Sequence, residues 1–230
     1  MDMNMCTMTR AILAGATLCA FAPSAHAAAC AAVTFREGAP RGFTGNSYFQ
    51  PTGGNPGGTA HFLIENFGIE LRTGALGEPS NPRFLGDYSG FARITFGFDV
   101  KVSALVFGGN QVAREIGVAL IDRDIQGPDG ASGVWFLLDY ISLATHGDWT
   151  RLAVTIDDPT QPDLPPGWIG FGDYDPDTFE PRLPEGATFA TVLAGVDEFR
   201  INTYQPGWFY GFTDFNVRVD NILVTALPCR

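Results

Sequence analysis

Ile94-Thr95-Phe96-Gly97-Phe98-Asp99-Val100-Lys101-Val102 decides the fold, because apolar side chains alternate there with polar or small ones without a break. A two-residue period is that of a strand with one face in a core and the other in water. Leu152, Val154 and Ile156 repeat it after Trp149, and Phe215, Val217 and Val219 repeat it near the C-terminal end. These read as half-buried antiparallel strands. Val118 to Ile121 and Val134 to Leu138 are continuous apolar runs, as expected of central strands covered on both sides. With 28 Gly and 16 Pro falling between the runs, the pattern predicts an all-β protein built as a two-layer antiparallel β-sandwich.

One short helix interrupts the strands: Phe189, Val192, Leu193 and Val196 fall at i, i+3, i+4, i+7 and lead into a strand over Phe199 to Thr203. Asp157 to Pro166 and Gly172 to Gly186 are rich in Pro, Asp and Gly and are expected to be long surface loops. There is no internal repeat, long linker or block of like charge, so a single domain over 28–230 is the economical organisation.

The N-terminal segment reads as a signal peptide over 1–27. It has a short positive region ending at Arg10, an apolar stretch from Ala11 to Ala22 and a small-x-small cleavage signal at Ala25-His26-Ala27. At about a dozen residues the apolar stretch is too short to span a bilayer. The chain is therefore expected to be exported, to a secreted, periplasmic or cell-surface location. Of four cysteines, Cys6 and Cys19 leave with this segment, so Cys30 and Cys229 remain at the two extremities, in a compartment that favours oxidation. A disulfide between them requires the first and last strands to lie side by side. The alternative makes Cys30 the lipid-modified first residue of a lipoprotein, preceded by Ala27-Ala28-Ala29.

Hydrophobic residues are 45%, aromatics 13% and charged residues 17% of the chain, a profile that can bury a core and excludes a disordered polymer. The net charge of −11 repels phosphate backbones and anionic headgroups, which argues against nucleic acid and bare membrane as partners.

Four motifs carry a resemblance. Phe84-Leu85-Gly86-Asp87-Tyr88-Ser89-Gly90 precedes the alternating strand. Leu193-Ala194-Gly195-Val196-Asp197-Glu198-Phe199-Arg200-Ile201 and Val219-Asp220-Asn221-Ile222 follow it, and Gly53-Gly54-Asn55-Pro56-Gly57-Gly58 lies upstream. In this order they are similar to the laminin B domain, also called laminin IV type A. That resemblance implies an extracellular jelly-roll-like sandwich acting as a matrix or adhesion module, with no catalytic constellation to carry over. The stretch from Asp157 to Gly186 is longer than the family pattern.

The glycines around Pro56 permit backbone angles closed to other residues and let the chain reverse before a strand over Thr59 to Ile64. A phosphate-cradling loop would lead into a helix instead. Asp220 sits where the alternation stumbles, since Ile222 and Leu223 occupy both parities, which suggests a bulge. Similarity to jelly-roll carbohydrate-binding modules, many of which hold a structural calcium beside the last strand, makes Asp220 a candidate calcium ligand. The alternative is a carboxylate bonded to neighbouring amides. Asp173-Tyr174-Asp175-Pro176-Asp177 opens like an EF-hand, but Thr178 and Pro184 stand where Gly and Glu are needed. It reads as an acidic loop or a looser calcium site, and Asp122, Asp124 and Asp129 read as a second solvated acidic cluster.

Catalytic signals are thin. His61 and His146 lack partners at metal-ligand spacing, and Gly86-Asp87-Tyr88-Ser89-Gly90 misses the Gly-x-Ser-x-Gly elbow by one position. No pair of carboxylates stands out for sugar cleavage. Aromatics in Gly/Pro-bordered turns can stack on sugar rings: Trp208, Tyr204 and Tyr210 first, then Trp168 and Trp149. Equally, large aromatics at strand starts plug the ends of a sandwich core. The expectation is a non-enzymatic exported module that binds a glycan or an extracellular matrix component. The alternatives are a secreted carbohydrate-active enzyme on the same scaffold or a purely structural matrix protein.

Overall fold

The computed structural model describes residues 30–227; the expected signal peptide and Cys229 lie outside them. The strands in chain order are β1 (Cys30–Val33), β2 (Thr44–Gly45), β3 (Tyr48–Gly54), β4 (Gly57–Asn66) and β5 (Glu70–Thr73). Then come β6 (Ile94–Phe107), β7 (Asn110–Gln111), β8 (Arg114–Gly127), β9 (Gly130–Ile141) and β10 (Thr150–Ile156). The series ends with β11 (Trp168–Phe171), β12 (Asp173–Tyr174), β13 (Pro181–Arg182), β14 (Glu198–Asn202) and β15 (Thr213–Ala226). Two short helices, α1 (Leu143–His146) and α2 (Phe189–Ala194), lie between strands.

The fold is the expected jelly-roll-like antiparallel β-sandwich. One sheet runs β10-β6-β15-β4-β3, with β7 beside β6 and β1 beside β15. The other runs β11-β9-β8-β14-β5-β2, and β12 and β13 form a separate ribbon. Alternation sets the inner faces. Phe96, Phe98, Val100 and Val102 of β6 and Phe215, Val217 and Val219 of β15 meet Val118, Leu120, Val134, Phe199 and Ile201 of the second sheet in one core. Phe96 stacks on Phe199 across the two layers, with ring centroids 5.5 Å apart. Burying each such side chain stabilises the fold by roughly 1.5–3 kcal/mol.

The last strand carries the expected bulge. Its register against β6 shifts between Asp220 and Leu223, and Asn221 takes φ 50°. Beyond β4's reach β15 is taken up by β1, which pairs Cys30 with Thr225 and Val33 with Ile222. The first and last strands therefore do lie side by side. The glycine turn before β4 closes a hairpin, Gly54 opposite Gly57, with Gly53 and Gly57 at φ +87° and +96°, angles that exclude most side chains.

Helix α2 falls where the periodicity puts it, buries Phe189, Val192 and Leu193, and begins with a reciprocal capping box between Thr188 and Thr191. A second helix, α1, was not expected: four residues are too few to show a period, and it is held by the Ser142 cap. The stretch Gly172 to Gly186 is not a plain loop, since it folds back as the β12–β13 ribbon.

The four motifs meet as two pairs. Gly86 N–H donates to Val196 O at 2.7 Å and Tyr88 N–H to Leu193 O at 2.8 Å. Asn55 N–H donates to Asp220 Oδ2 at 2.7 Å. Among the described residues no helix is long and apolar enough to cross a membrane.

Candidate functional site

The outer face of the second sheet is built by the residues that alternate with its core set. Register aligns one of them from each strand: Ile169 opposite Trp135, Trp135 opposite Ala119, Ala119 opposite Arg200, Arg200 opposite Arg72 and Arg72 opposite Thr44. The row crosses all six strands, a width of roughly 24 Å at ordinary strand spacing. Ala119, between the large side chains of Trp135 and Arg200, makes the depression in its centre.

Trp135 forms the floor. A Cβ on Gly117 would lie 2.5 Å from the indole ring, so the ring lies across that glycine, on the one neighbour that leaves it room. Its Nε1–H donates to Asn202 Oδ1 at 2.9 Å, which also accepts from Tyr204 N–H at 3.2 Å. The floor is only 1% exposed, whereas Tyr204 is 42% and Tyr174 44% exposed. Tyr204 is held by its hydroxyl, which donates to Gly68 O at 3.1 Å.

Beside the aromatics runs a polar chain. Arg123 pairs with Glu198, Glu198 with Arg200, and Arg200 with Glu70 at 3.2 Å. Glu70 then pairs with Arg72, Arg72 Nε donates to Glu78 Oε2 at 3.0 Å, and Thr44 Oγ1 donates to Glu78 as well. Hydrogen bonds from Arg72 and Thr44 pull the Glu78 carboxyl down to about 2, and the same partnership raises Arg72.

Three cavities adjoin along this face. The central one, about 260 Å³, is lined by Ala119, Trp135, Arg200, Asn202 and Tyr204, and by Asp173, Tyr174 and Pro181 of the ribbon. A cavity of about 430 Å³ over Thr44, Glu70, Arg72 and Glu78 shares Tyr204 with it. A third, about 550 Å³, between Trp168, Phe179 and Trp208, shares Pro181, Gln205 and Pro206. Together they make a single groove across the strands.

No family model matches this chain. No curated protein matches it either. Among solved structures it is similar to an exo-beta-agarase, with TM-score 0.44, 15% identity, and coverage of 86% of this chain and 25% of that one. It therefore spans about a quarter of the agarase's length. It is also similar to a family 11 carbohydrate-binding module from Clostridium thermocellum in complex with a beta-1,3-1,4-mixed-linked tetrasaccharide, with TM-score 0.43, 13% identity, and coverage of 88% and 91%. A third likeness is to CBM28, a carbohydrate-binding module specific for non-crystalline cellulose, with TM-score 0.32, 14% identity, and coverage of 84% and 90%.

Of the aromatics singled out in the sequence, the groove brings together Tyr204, Trp168 and Trp208. Trp208 is 62% exposed, but Trp168 is 7% exposed, packed on Phe136 and Phe189 at centroid distances of 5.2 and 5.3 Å. It is a core plug that shows the groove one edge. Tyr210 and Trp149 line none of the three cavities. Tyr210 lies over the Arg114 guanidinium, 4.6 Å from ring centroid to carbon, and donates to Glu115; burial pushes its phenol up to about 12. Trp149 is half-buried just before β10, in the other sheet. Trp135 was not singled out because it sits in a strand whose apolar run shows no period, and Arg200 and Asn202, though they alternate with Phe199 and Ile201 in β14, carry no local mark of a site. Only the pairing of β9, β8 and β14 shows that they share a face.

At Asp220 the structure shows the alternative reading, a carboxylate bonded to a neighbouring amide. The side chain is fully buried; Oδ2 accepts from Asn55 N–H, while Oδ1 has no partner. Burial pushes the carboxyl up, and the amides of Asn55, Asn221 and Phe35 pull against it. Asp99 stands nearby, bonded by Asn55 and Asn221 side-chain amides at 3.0 and 2.7 Å and by Arg151 at 3.0 Å.

The other acidic residues are engaged locally. Asp175 accepts from the amides of Asp177 and Thr178, and Asp173 pairs with Arg182 at 2.9 Å. Asp122 is buried rather than solvated, because β8 runs beyond its apolar stretch and carries this residue under Gly195. Burial raises its carboxyl. Asp129 lines the central cavity. His146 approaches Thr145 Oγ1 at 2.7 Å and Asp139 at 3.4 Å; Thr145 belongs to the Ser142 cap of α1 and Asp139 to β9.

Proposed function

We propose that the chain is a non-catalytic glycan-binding module that holds an extended saccharide across the outer face of its second sheet. The supporting observation is that the adjoining cavities bring accessible rings (Tyr174, Tyr204, Trp208) and planar polar groups (Asn202, Arg200, Glu70, Arg72) to one face. A sugar ring has an apolar face that stacks on aromatics and a hydroxyl rim that bonds to fixed polar groups, and this face offers both in one line.

The carboxylates argue for binding over cleavage. Sugar hydrolysis needs one carboxyl kept protonated as an acid and a second free to act as base or nucleophile. Glu198, Glu70 and Glu78 are instead clamped by arginines, and Glu78 is driven toward stronger acidity. Export by the N-terminal segment, kinship with the laminin B domain and the Cys30–Cys229 disulfide belong to the same proposal. So does a structural calcium at Asp220, supported by its unpartnered Oδ1; a melting curve unchanged between chelator and millimolar calcium would remove it.

The test is retardation of the protein in gels cast with soluble polysaccharides, followed by calorimetry on those that bind. Binding lost in Tyr204→Ala and Trp208→Ala, with both proteins still folded at the assay temperature, is the expected result. Binding that survives both substitutions would overturn the assignment of the groove. Release of reducing sugar during incubation would favour the enzyme reading.

A further inference from the structure

Both arginines that line the groove are already neutralised by the protein itself. Arg200 is held between Glu198 and Glu70, and Arg72 between Glu70 and Glu78. Neither points a free N–H pair into the cavities in the way that carboxylate or sulfate recognition requires. Four carboxylates line the central and Arg72 cavities, Glu70, Glu78, Asp129 and Asp173, of which Glu70 and Glu78 hold Arg72 and Asp173 holds Arg182. The charge of the whole chain, −11, has the same sign.

Resting on the glycan-binding reading, we infer that the groove selects uncharged polysaccharides and rejects those bearing uronate or sulfate. An anionic sugar could bond to Arg72 or Arg200 only by taking the guanidinium from a half-buried glutamate. That leaves the glutamate unpaired beside the new anion, an arrangement that costs more than it returns. A neutral sugar needs no such exchange. Its hydroxyls donate to the carboxylate lone pairs that the arginines leave unused. The ion-pair chain, in which Arg123, Arg200 and Arg72 match Glu198, Glu70 and Glu78, thus recognises hydroxyls while offering no uncompensated cation, and the adjoining Asp129 with the net charge of −11 disfavours anions, which is discrimination by repulsion as well as by contact.

The experiment uses the full-length protein and pairs of polymers that share a backbone and differ in charge: hydroxyethyl- and carboxymethylcellulose, dextran and dextran sulfate. Gel retardation and calorimetry are run at low and high salt. The expected result is binding to the neutral member of at least one pair, with the charged member at least tenfold weaker at low salt and the gap narrowing as salt screens the repulsion. Glu78→Gln, which frees one side of Arg72, is expected to close part of that gap. Equal or tighter binding of the charged member overturns the inference while leaving the glycan-binding reading in place. Retention by none of the polymers removes both.

Discussion

The indole of Trp135 and the backbone amide of Tyr204 converge on one oxygen, Oδ1 of Asn202, at 2.9 and 3.2 Å. One buried side chain thereby fixes both the floor of the groove and the aromatic at its rim. Removing it in Asn202→Ala leaves a buried indole N–H and an amide without an acceptor. The expected cost is about 1–3 kcal/mol, seen as a lower melting temperature, together with weaker glycan binding. Asn202→Asp keeps the acceptor and should retain more of the affinity than the alanine variant.

Gly117 tests the floor from below. A methyl group there meets the Trp135 ring at 2.5 Å, so Gly117→Ala must lift the indole or shift the strand, at a cost of roughly 1–3 kcal/mol. A changed near-ultraviolet dichroism spectrum and reduced binding, with the far-ultraviolet strand signal intact, is the expected outcome.

Tyr204 separates ring from hydroxyl. Tyr204→Phe loses only the bond to Gly68 O and should cost about 1 kcal/mol of stability while still binding. Tyr204→Ala removes the stacking face and should weaken binding by about tenfold or more, the equivalent of roughly 1.4 kcal/mol. Calorimetry on the three proteins decides it.

Glu78 gives the pH dependence. Its carboxyl is held at about 2 in the folded chain, against an ordinary value of 4.5. A depressed carboxyl stabilises the fold above its unfolded value and loses that contribution as pH falls through the folded one. The stability difference between the protein and Glu78→Gln should therefore be full above about pH 4.5 and gone near pH 2. Chemical denaturation at a series of pH values measures it; a difference that is flat across this window would contradict the Arg72 clamp.

The pairing of β1 with β15 places Cys30 opposite Thr225, four positions before Cys229 in the sequence. Intact mass after alkylation should show no reagent uptake until a reductant is added. Cys229→Ser should then lower the stability by about 5 kcal/mol in the chain-entropy picture of so long a loop. Alkylation of the unreduced protein would exclude the bond.

The sandwich was legible wherever one face of a strand is wet. The alternation in β6, β10 and β15 fixed which side chains form the core, the stumble at Asp220 located the bulge, and Gly53 to Gly58 located the hairpin. Helix α2 was legible because its four apolar positions all reach the core. The groove was not, for two reasons. Trp135, Ala119 and Ile121 belong to strands apolar on both faces, which show no period that separates inside from outside. Moreover Arg200, Arg72 and Thr44 fall into one row with Trp135 only through the register of strands far apart in the chain, a nonlocal fact. Tyr204 and Trp208, which turn chemistry marks as exposed rings, line the groove, whereas Trp149, marked by the same rule, lies half-buried just before β10.

The β12–β13 ribbon supplies Asp173, Tyr174 and Pro181 to one wall of the central cavity, and none of its residues belongs to the buried core. What the cavity grips is thus decoupled from what keeps the protein folded. Selection, or an engineer, can rewrite or exchange the segment from 173 to 182 at little risk to the sandwich, so ligand preference is free to diverge among chains that keep this scaffold.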